Sequence, residues 1–290
     1  MKKNETIECR AKINLSLDVI GQRPDGYHNL EMLMQEVALC DILNITADTE
    51  SEGIEIFCAD PHVPCNSDNL AAKAALAYLA AAEIQAGVKI SIEKHIPMGA
   101  GLGGGSSDAA GVLSALNAVF GNRLAFDRLS EIAASLGSDV PFFLHGGCML
   151  AAGIGTELKR IPSLSRSLHI LIAKPDIHVS TPHVYKSLRL DEKTVHPDTR
   201  GAISALENGD IEALARCCAN VLETVTAAEY EEINEYKAIM SDFDAVYSLM
   251  SGSGSSVFGI FNEKKAAERA AESFRLRTSE VFLTKAAEQC

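Results

Sequence analysis

Between residues 7 and 19 the chain alternates without a break. Ile7, Cys9, Ala11, Ile13, Leu15, Leu17 and Val19 are apolar, and Glu8, Arg10, Lys12, Asn14, Ser16 and Asp18 between them are polar. A period of two over that length predicts a β-strand buried on one face. Lys12 and Asn14 share its polar face. Residues 21–26, with Pro24 and Asp25 inside, predict a turn. Further strands are expected at 31–39, 41–46 and 53–58. The texture then changes. Ser67-Asp68-Asn69 can cap a helix over 70–86. Residues 88–93 alternate again and predict a strand, and 97–107 are rich in glycine. Beyond them Ala109, Val112, Leu113, Leu116 and Val119 fall at helical spacing, which predicts an amphipathic helix over 107–120. Another helix is expected over 126–136.

The second half predicts strands at 168–173, 257–261 and 280–283. Helices are expected near 201–206, 211–222, 233–240 and 263–274. A second glycine-serine segment occupies 251–256. Helices and strands are mixed but do not alternate one by one, so the fold class is α+β rather than a doubly wound sheet. Gly153, Gly155 and the loop at 162–167 suggest a domain boundary that divides the chain into 1–155 and 156–290.

Composition narrows the chemistry. With 290 residues, 47% hydrophobic and 22% charged, the chain can bury a sizeable core. Its formal net charge of -13 repels nucleic acid and anionic membrane surfaces, so neither is an expected partner. A polyanion can bind only where local donors outweigh that background. The opening MKKNETIECRAK has no apolar run of signal-peptide length, and no stretch approaches 18 apolar residues. The eight cysteines are scattered without a CxxC pair, which suits reduced thiols in a cytoplasmic protein. The eight histidines show no ligand spacing, and no metal bound by protein side chains alone is expected.

The most informative stretch is Pro97-Met98-Gly99-Ala100-Gly101-Leu102-Gly103-Gly104-Gly105-Ser106-Ser107. Glycines permit positive φ, so consecutive N–H groups can converge on one point. The helix that follows adds the positive end of its dipole. Ser106 and Ser107 can offer hydroxyls to a phosphate or to magnesium. A flexible Gly/Ser loop is the competing reading, and the flanking strand and helix weigh against it. The GxGxxG at 99–104 has no acidic residue closing a second strand about 20 residues on, which disfavours a dinucleotide fold. No GxxxxGK[ST] occurs, and the HRD and DFG of protein kinases are absent.

The pattern Pro-x-x-x-Gly-Leu-Gly-x-x-Ser-Ser-x-Ala resembles the signature of the GHMP superfamily of small-molecule kinases. The extra glycines, Gly104 and Gly105, are similar to the branch that phosphorylates the cytidine diphosphate derivative of methylerythritol in the non-mevalonate isoprenoid route. Ala11-Lys12-Ile13-Asn14-Leu15, Arg23-Pro24-Asp25-Gly26-Tyr27-His28, Gly137-Ser138-Asp139-Val140-Pro141-Phe142-Phe143 and Met250-Ser251-Gly252-Ser253-Gly254 resemble further segments of that branch, in the same order. Ser138 stands where the family often has alanine.

The resemblance implies a two-domain GHMP kinase fold, with a ribosomal protein S5 domain 2-like N-terminal part, an α/β C-terminal part and the active site in the cleft between them. It implies ATP and Mg²⁺ as cofactors and transfer of the γ-phosphoryl to the 2-hydroxyl of the cytidine compound. Asp139 would be the general base and Lys12 the cation that keeps it ionised. Read alone, 138–141 is the pattern of a helix N-cap ahead of proline, and Lys12 a solvated strand lysine. Asn14 would bind the acceptor. Tyr27 and His28 would hold the cytosine, with Tyr185 on its other side. Asn69, Leu70 and Lys94 would lie on the adenine side. The expected assembly is a monomer or weak homodimer. Homoserine and mevalonate-type kinases of the same superfamily are the nearest rival. A nucleotide-binding regulatory module and an NAD-dependent oxidoreductase are more distant ones.

Overall fold

The computed structural model describes residues 2–24, 26, 28–192 and 194–287. Two long strands open the chain, β1 (Lys2–Gln22) and β2 (His28–Asp48), and they pair with each other. The strands expected at 31–39 and 41–46 are thus one. No glycine or proline stands between them to end a strand. The chain divides into two compact units, and both strands run through both. The first unit holds the chain up to Ala11, Cys40–Met98 and Gly103–Gly146. The second holds Lys12–Leu39, Gly99–Leu102 and Gly147–Cys290.

In the first unit, β3 (Ile54–Cys58) pairs parallel with β4 (Gly87–Glu93). The later half of β2 joins β4 antiparallel, from Ile42 opposite Glu93 to Asp48 opposite Gly87. The helix α1 (Leu70–Ala82) stops short of the expected 86, because Glu83 caps it in the left-handed conformation at φ 53°. The helix α2 (Gly104–Val119) begins three residues before the sequence pattern placed it. It is also not amphipathic in its setting, since residues from Ser107 to Leu113 are all buried. Small residues make this possible. Ala71, Ala74 and Ala75 of α1 and Ala109 and Ala110 of α2 let the two helices pack closely, while Gly111 makes room for Cys9 of β1, whose Sγ a Cβ there would meet at 2.2 Å. Tyr78 of α1 donates to Asn117 Oδ1 of α2 at 3.3 Å. The unit closes with α3 (Phe126–Leu136), at its expected bounds, and the short α4 (Val140–His145).

In the second unit the early half of β2 pairs antiparallel with β5 (Cys148–Gly153), and β5 with β6 (Glu157–Arg160). A cut at residue 155 would fall in the turn of that hairpin, so the compact units divide the chain elsewhere. A four-stranded antiparallel sheet follows. Its members are β7 (His169–Ala173), β8 (Tyr247–Met250), β9 (Val257–Phe261) and β10 (Val281–Thr284), in the order β10-β7-β9-β8. The helices are α5 (Thr181–Ser187), α6 (Thr199–Asn208), α7 (Ile211–Cys217), α8 (Glu223–Glu229), α9 (Glu232–Asp242) and α10 (Lys264–Arg275). The helix expected to reach 222 ends at Cys217. The backbone beyond it is taken by β1 instead: Leu17 N–H donates to Ala219 O and Val221 N–H to Leu17 O, each at 2.9 Å. Among the described residues no helix is long and apolar enough to cross a membrane.

Candidate active site

Alternation along β1 predicts one buried face, and the structure buries both from Ala11 to Val19. Lys12 is 4% exposed and Asn14 1%. A strand lysine left to solvent is therefore not what the chain builds. Burying such groups requires partners, and the second unit supplies them. The Lys12 ammonium donates to Asn14 Oδ1, and Lys12 N–H to Leu102 O at 3.0 Å. Asn14 N–H donates to Ser251 Oγ at 3.3 Å. Two residues further, Ser16 Oγ donates to Ala219 O at 3.2 Å, and Asp18 meets His196 Nδ1 at 2.7 Å.

The glycine-rich loop is built by alternation of another kind. Gly99, Gly101 and Gly103 have φ of 61°, 73° and 73°, a region L side chains rarely enter. In the second unit, Gly101 is also hemmed in. A Cβ there would lie 2.0 Å from Ser251 O. Ser251 Oγ donates to Gly101 O at 2.9 Å, and Ser256 N–H to Ala100 O at 3.2 Å. The 251–256 motif is thereby bonded to the loop segment Gly99–Leu102, with Asn14 bonded to the same serine.

In the first unit, Pro97 and the exposed Met98 lead into the loop. Gly103 caps α2 without a side chain. The N–H groups of Gly104, Gly105 and Ser106 therefore have no intrahelical acceptor. Ser107 N–H donates to Gly103 O at 2.9 Å. Such a terminus is an anion cradle. Ser106 is half-buried and Ser107 buried. Asn69 caps α1 as expected, with Oδ1 accepting from Ala71 N–H at 2.9 Å and Nδ2 donating to Pro64 O at 2.8 Å. Leu70, the first residue of α1, comes within 3.8 Å of a Cβ built on Gly105.

Lys94 sits between two carboxylates that the sequence pattern did not single out. Its ammonium donates to Asp41 Oδ2 and, at 3.0 Å, to Asp108 Oδ2. Asp41 Oδ1 accepts the N–H groups of His95 at 2.6 Å and Ile96 at 2.9 Å. Burial alone would lower the Lys94 pKa; the Asp108 and Asp41 charges outweigh it and hold it raised. Burial pushes the Asp108 carboxyl up to about 7 against the pull of Lys94, with Asp41 adding to the rise. Asp108 Oδ1 has no hydrogen-bond partner.

Asp139 takes the N-cap position of α4, but with helical φ and ψ of -84° and -17° and no side-chain capping bond. The cap reading of this aspartate is thus not realised. The residue is half-buried. In the second unit, the rings of His28 and Tyr185 lie with centroids 5.3 Å apart, tilted by 34°. Tyr27 lies outside the described residues. Sequence reasoning missed Asp41, Asp108, Ser251 as a specific contact, and Asn220. Asp108 and Ser251 stand inside the two glycine-rich motifs and Asp41 and Asn220 outside them, but no spacing rule marks any of them as a contact.

These features define a class. Residues 69–147 match the family described as GHMP kinases N terminal domain, and residues 202–277 the one described as GHMP kinases C terminal. A 4-diphosphocytidyl-2-C-methyl-D-erythritol kinase from Acetivibrio thermocellus is 44% identical over 96% of this chain and 98% of its own. A crystal structure of 4-(cytidine 5'-diphospho)-2C-methyl-D-erythritol kinase matches at a TM-score of 0.83 with 35% identity, covering 98% of this chain and 100% of that one. The chain belongs to the 4-diphosphocytidyl-2-C-methyl-D-erythritol kinase family of the GHMP kinases. A homoserine kinase from Cytophaga hutchinsonii, at 20% identity and a TM-score of 0.80 over 100% of this chain and 96% of its own, shares the fold alone.

Proposed function

We propose that this kinase transfers the γ-phosphoryl of ATP to the 2-hydroxyl of 4-diphosphocytidyl-2-C-methyl-D-erythritol. One observation carries the reading: three left-handed glycines lead into a helix whose cap offers no side chain, so backbone N–H groups are left for an anion. A triphosphate fits that cradle, and magnesium on its phosphates would supply neutralisation of the charge that moves with the phosphoryl group. Ser106 and Ser107 are the hydroxyls nearest in sequence to hold that ion. Asn69, Leu70 and Lys94 would line the adenine side.

Asp139 is assigned as the general base that orients the acceptor hydroxyl and takes its proton. The missing cap bond supports this, because the carboxylate is not spent on its own helix. Lys12, buried and bonded to Asn14, is assigned to the developing negative charge, and Asn14 to the acceptor. His28, Tyr185 and Tyr27 are assigned to the cytosine. The His28 and Tyr185 rings lie against each other at 5.3 Å, so the base would pack on that pair and not between them, a correction to the expected placement of Tyr185 on its other side. The protein would act as a monomer or weak homodimer in the cytoplasm.

An ADP-release assay with Mg-ATP tests the reading, offering the cytidine compound beside homoserine and mevalonate. Turnover with the cytidine compound alone is expected. Turnover with homoserine or mevalonate would preserve the kinase class and overturn the acceptor.

A further inference from the structure

The second glycine motif closes on itself, with Ser251 N–H donating to Ser256 O at 2.9 Å and Gly254 N–H to Ser251 O at 3.0 Å, and side chains of the segment 220–226 brace it. Asn220, 4% exposed, donates through Nδ2 to Met250 O at 2.7 Å and to Gly252 O at 2.8 Å. Its Oδ1 accepts from Leu222 N–H at 3.0 Å, which fixes the orientation of the amide. Thr226 Oγ1 donates to Ser253 O at 3.1 Å, and Glu223 Oε1 accepts from Met250 N–H at 2.6 Å. These side chains set the backbone of 250–253. That backbone in turn faces the site. A Cβ built on Gly252, whose φ is 59°, would lie 3.4 Å from Gly101 Cα and 3.6 Å from Asn14 Oδ1.

We propose that Asn220 is a positioning residue for phosphoryl transfer: its amide fixes the 250–252 turn, and that turn sets Gly101 of the glycine-rich loop and Asn14. The inference rests on the phosphate-binding reading of the loop. Only a double donor suits the position. Aspartate has the same shape, but it would turn two carbonyl oxygens toward an anion and leave both without a donor. At a phosphoryl-transfer site a misplacement of about 1 Å can cost about 10²-fold in rate.

The test compares N220D, N220S and F274L with the unmodified protein. Phe274 is a buried residue of α10 packed against Tyr236 and lies outside the motif, so F274L reports the effect of lost stability alone. ADP affinity is measured by calorimetry, separately from turnover, and cytidine diphosphate affinity alongside. N220D is expected to lower kcat at least about 10-fold and to weaken ADP, with cytidine diphosphate affinity unchanged. Its activity should recover partly at low pH, where a protonated aspartate regains one donor. N220S withdraws the donor without placing an anion there and should also lower kcat and weaken ADP, less than N220D does, which keeps the test decisive if N220D does not fold. Wild-type kcat and ADP affinity in N220S or N220D, or losses matched by F274L at equal melting temperature, would overturn the proposal. A wrong acceptor would abolish turnover in the unmodified protein too, while the ADP arm still reports on Asn220.

Discussion

At the residue scale, the two carboxylates Asp139 and Asp108 behave differently, and each leads to a prediction. The Asp139 side chain makes no capping bond to its own helix, so replacing it with asparagine removes no cap. Asp139→Asn should therefore cut kcat by at least about 10²-fold while ADP affinity and melting temperature stay near wild type. Retained turnover would take Asp139 out of the role of base. Asp108 is a matter of stability. Its carboxyl, pushed up to about 7 by burial, holds a proton in the folded chain that an unfolded carboxylate, titrating near 4, has already released. Folded binding exceeds unfolded binding across that window. Stability contributed by this group is thus present at low pH and is lost as pH rises towards 7 and beyond. Urea denaturation from pH 5 to 8 should show a decline that Asp108→Asn makes shallower; equal slopes would show that Asp108 does not titrate there. Lys12 was legible as a candidate through its motif, but its burial was not. Alternation reports which residues share a face, and says nothing of what later covers that face.

At the element scale, the glycine loop was the most legible feature and the second motif the least. Alternating glycines announce positive φ by themselves, because no other residue adopts it at so little cost. What a loop is pressed against does not show in its own letters. Gly101 and Gly121 separate the two effects. Both have positive φ, but a Cβ at Gly101 would strike Ser251 O, whereas nothing lies within 4 Å of one at Gly121. Gly121→Ala should lose only about 1 kcal/mol of stability from backbone strain, with activity intact. Gly101→Ala should lose more and abolish ADP binding, since either the loop or the 251–256 motif must move. Urea melts and ADP titration of both variants check this, and equal behaviour would mean that the close approach is unimportant. The same logic explains the misread helix ends. The pattern of 211–222 is apolar enough for helix, yet β1 claims the backbone beyond Cys217 for its own ladder.

At the scale of the whole molecule, the α+β class and most elements followed from local periodicity, while the division into units did not. Pairing between distant segments leaves no local trace. Leu17 bridges Asn220 and Val37 bridges Ala286, and neither strand nor partner carries a mark of the other. The second unit is therefore discontinuous: it needs Lys12–Leu39 as well as the chain from Gly147 onward. A fragment of 156–290 would lose β5, whose Met149 to Ala152 pair with Arg160 to Glu157, and the β1 carbonyl and N–H groups of Leu17. It would also lose Ala38 N–H, which donates to Lys285 O at 2.9 Å, and Glu36 O, which accepts from Ala287 N–H at 2.9 Å. Backbone groups stripped of partners in this way must be solvated or left unpaired, each at a cost comparable to a lost hydrogen bond. Expressed alone, 156–290 should show poor amide dispersion and no cooperative melt, and co-expression with 1–155 should restore both. A cooperative melt from 156–290 by itself would mean that the strands from the first forty residues decorate the second unit rather than hold it together.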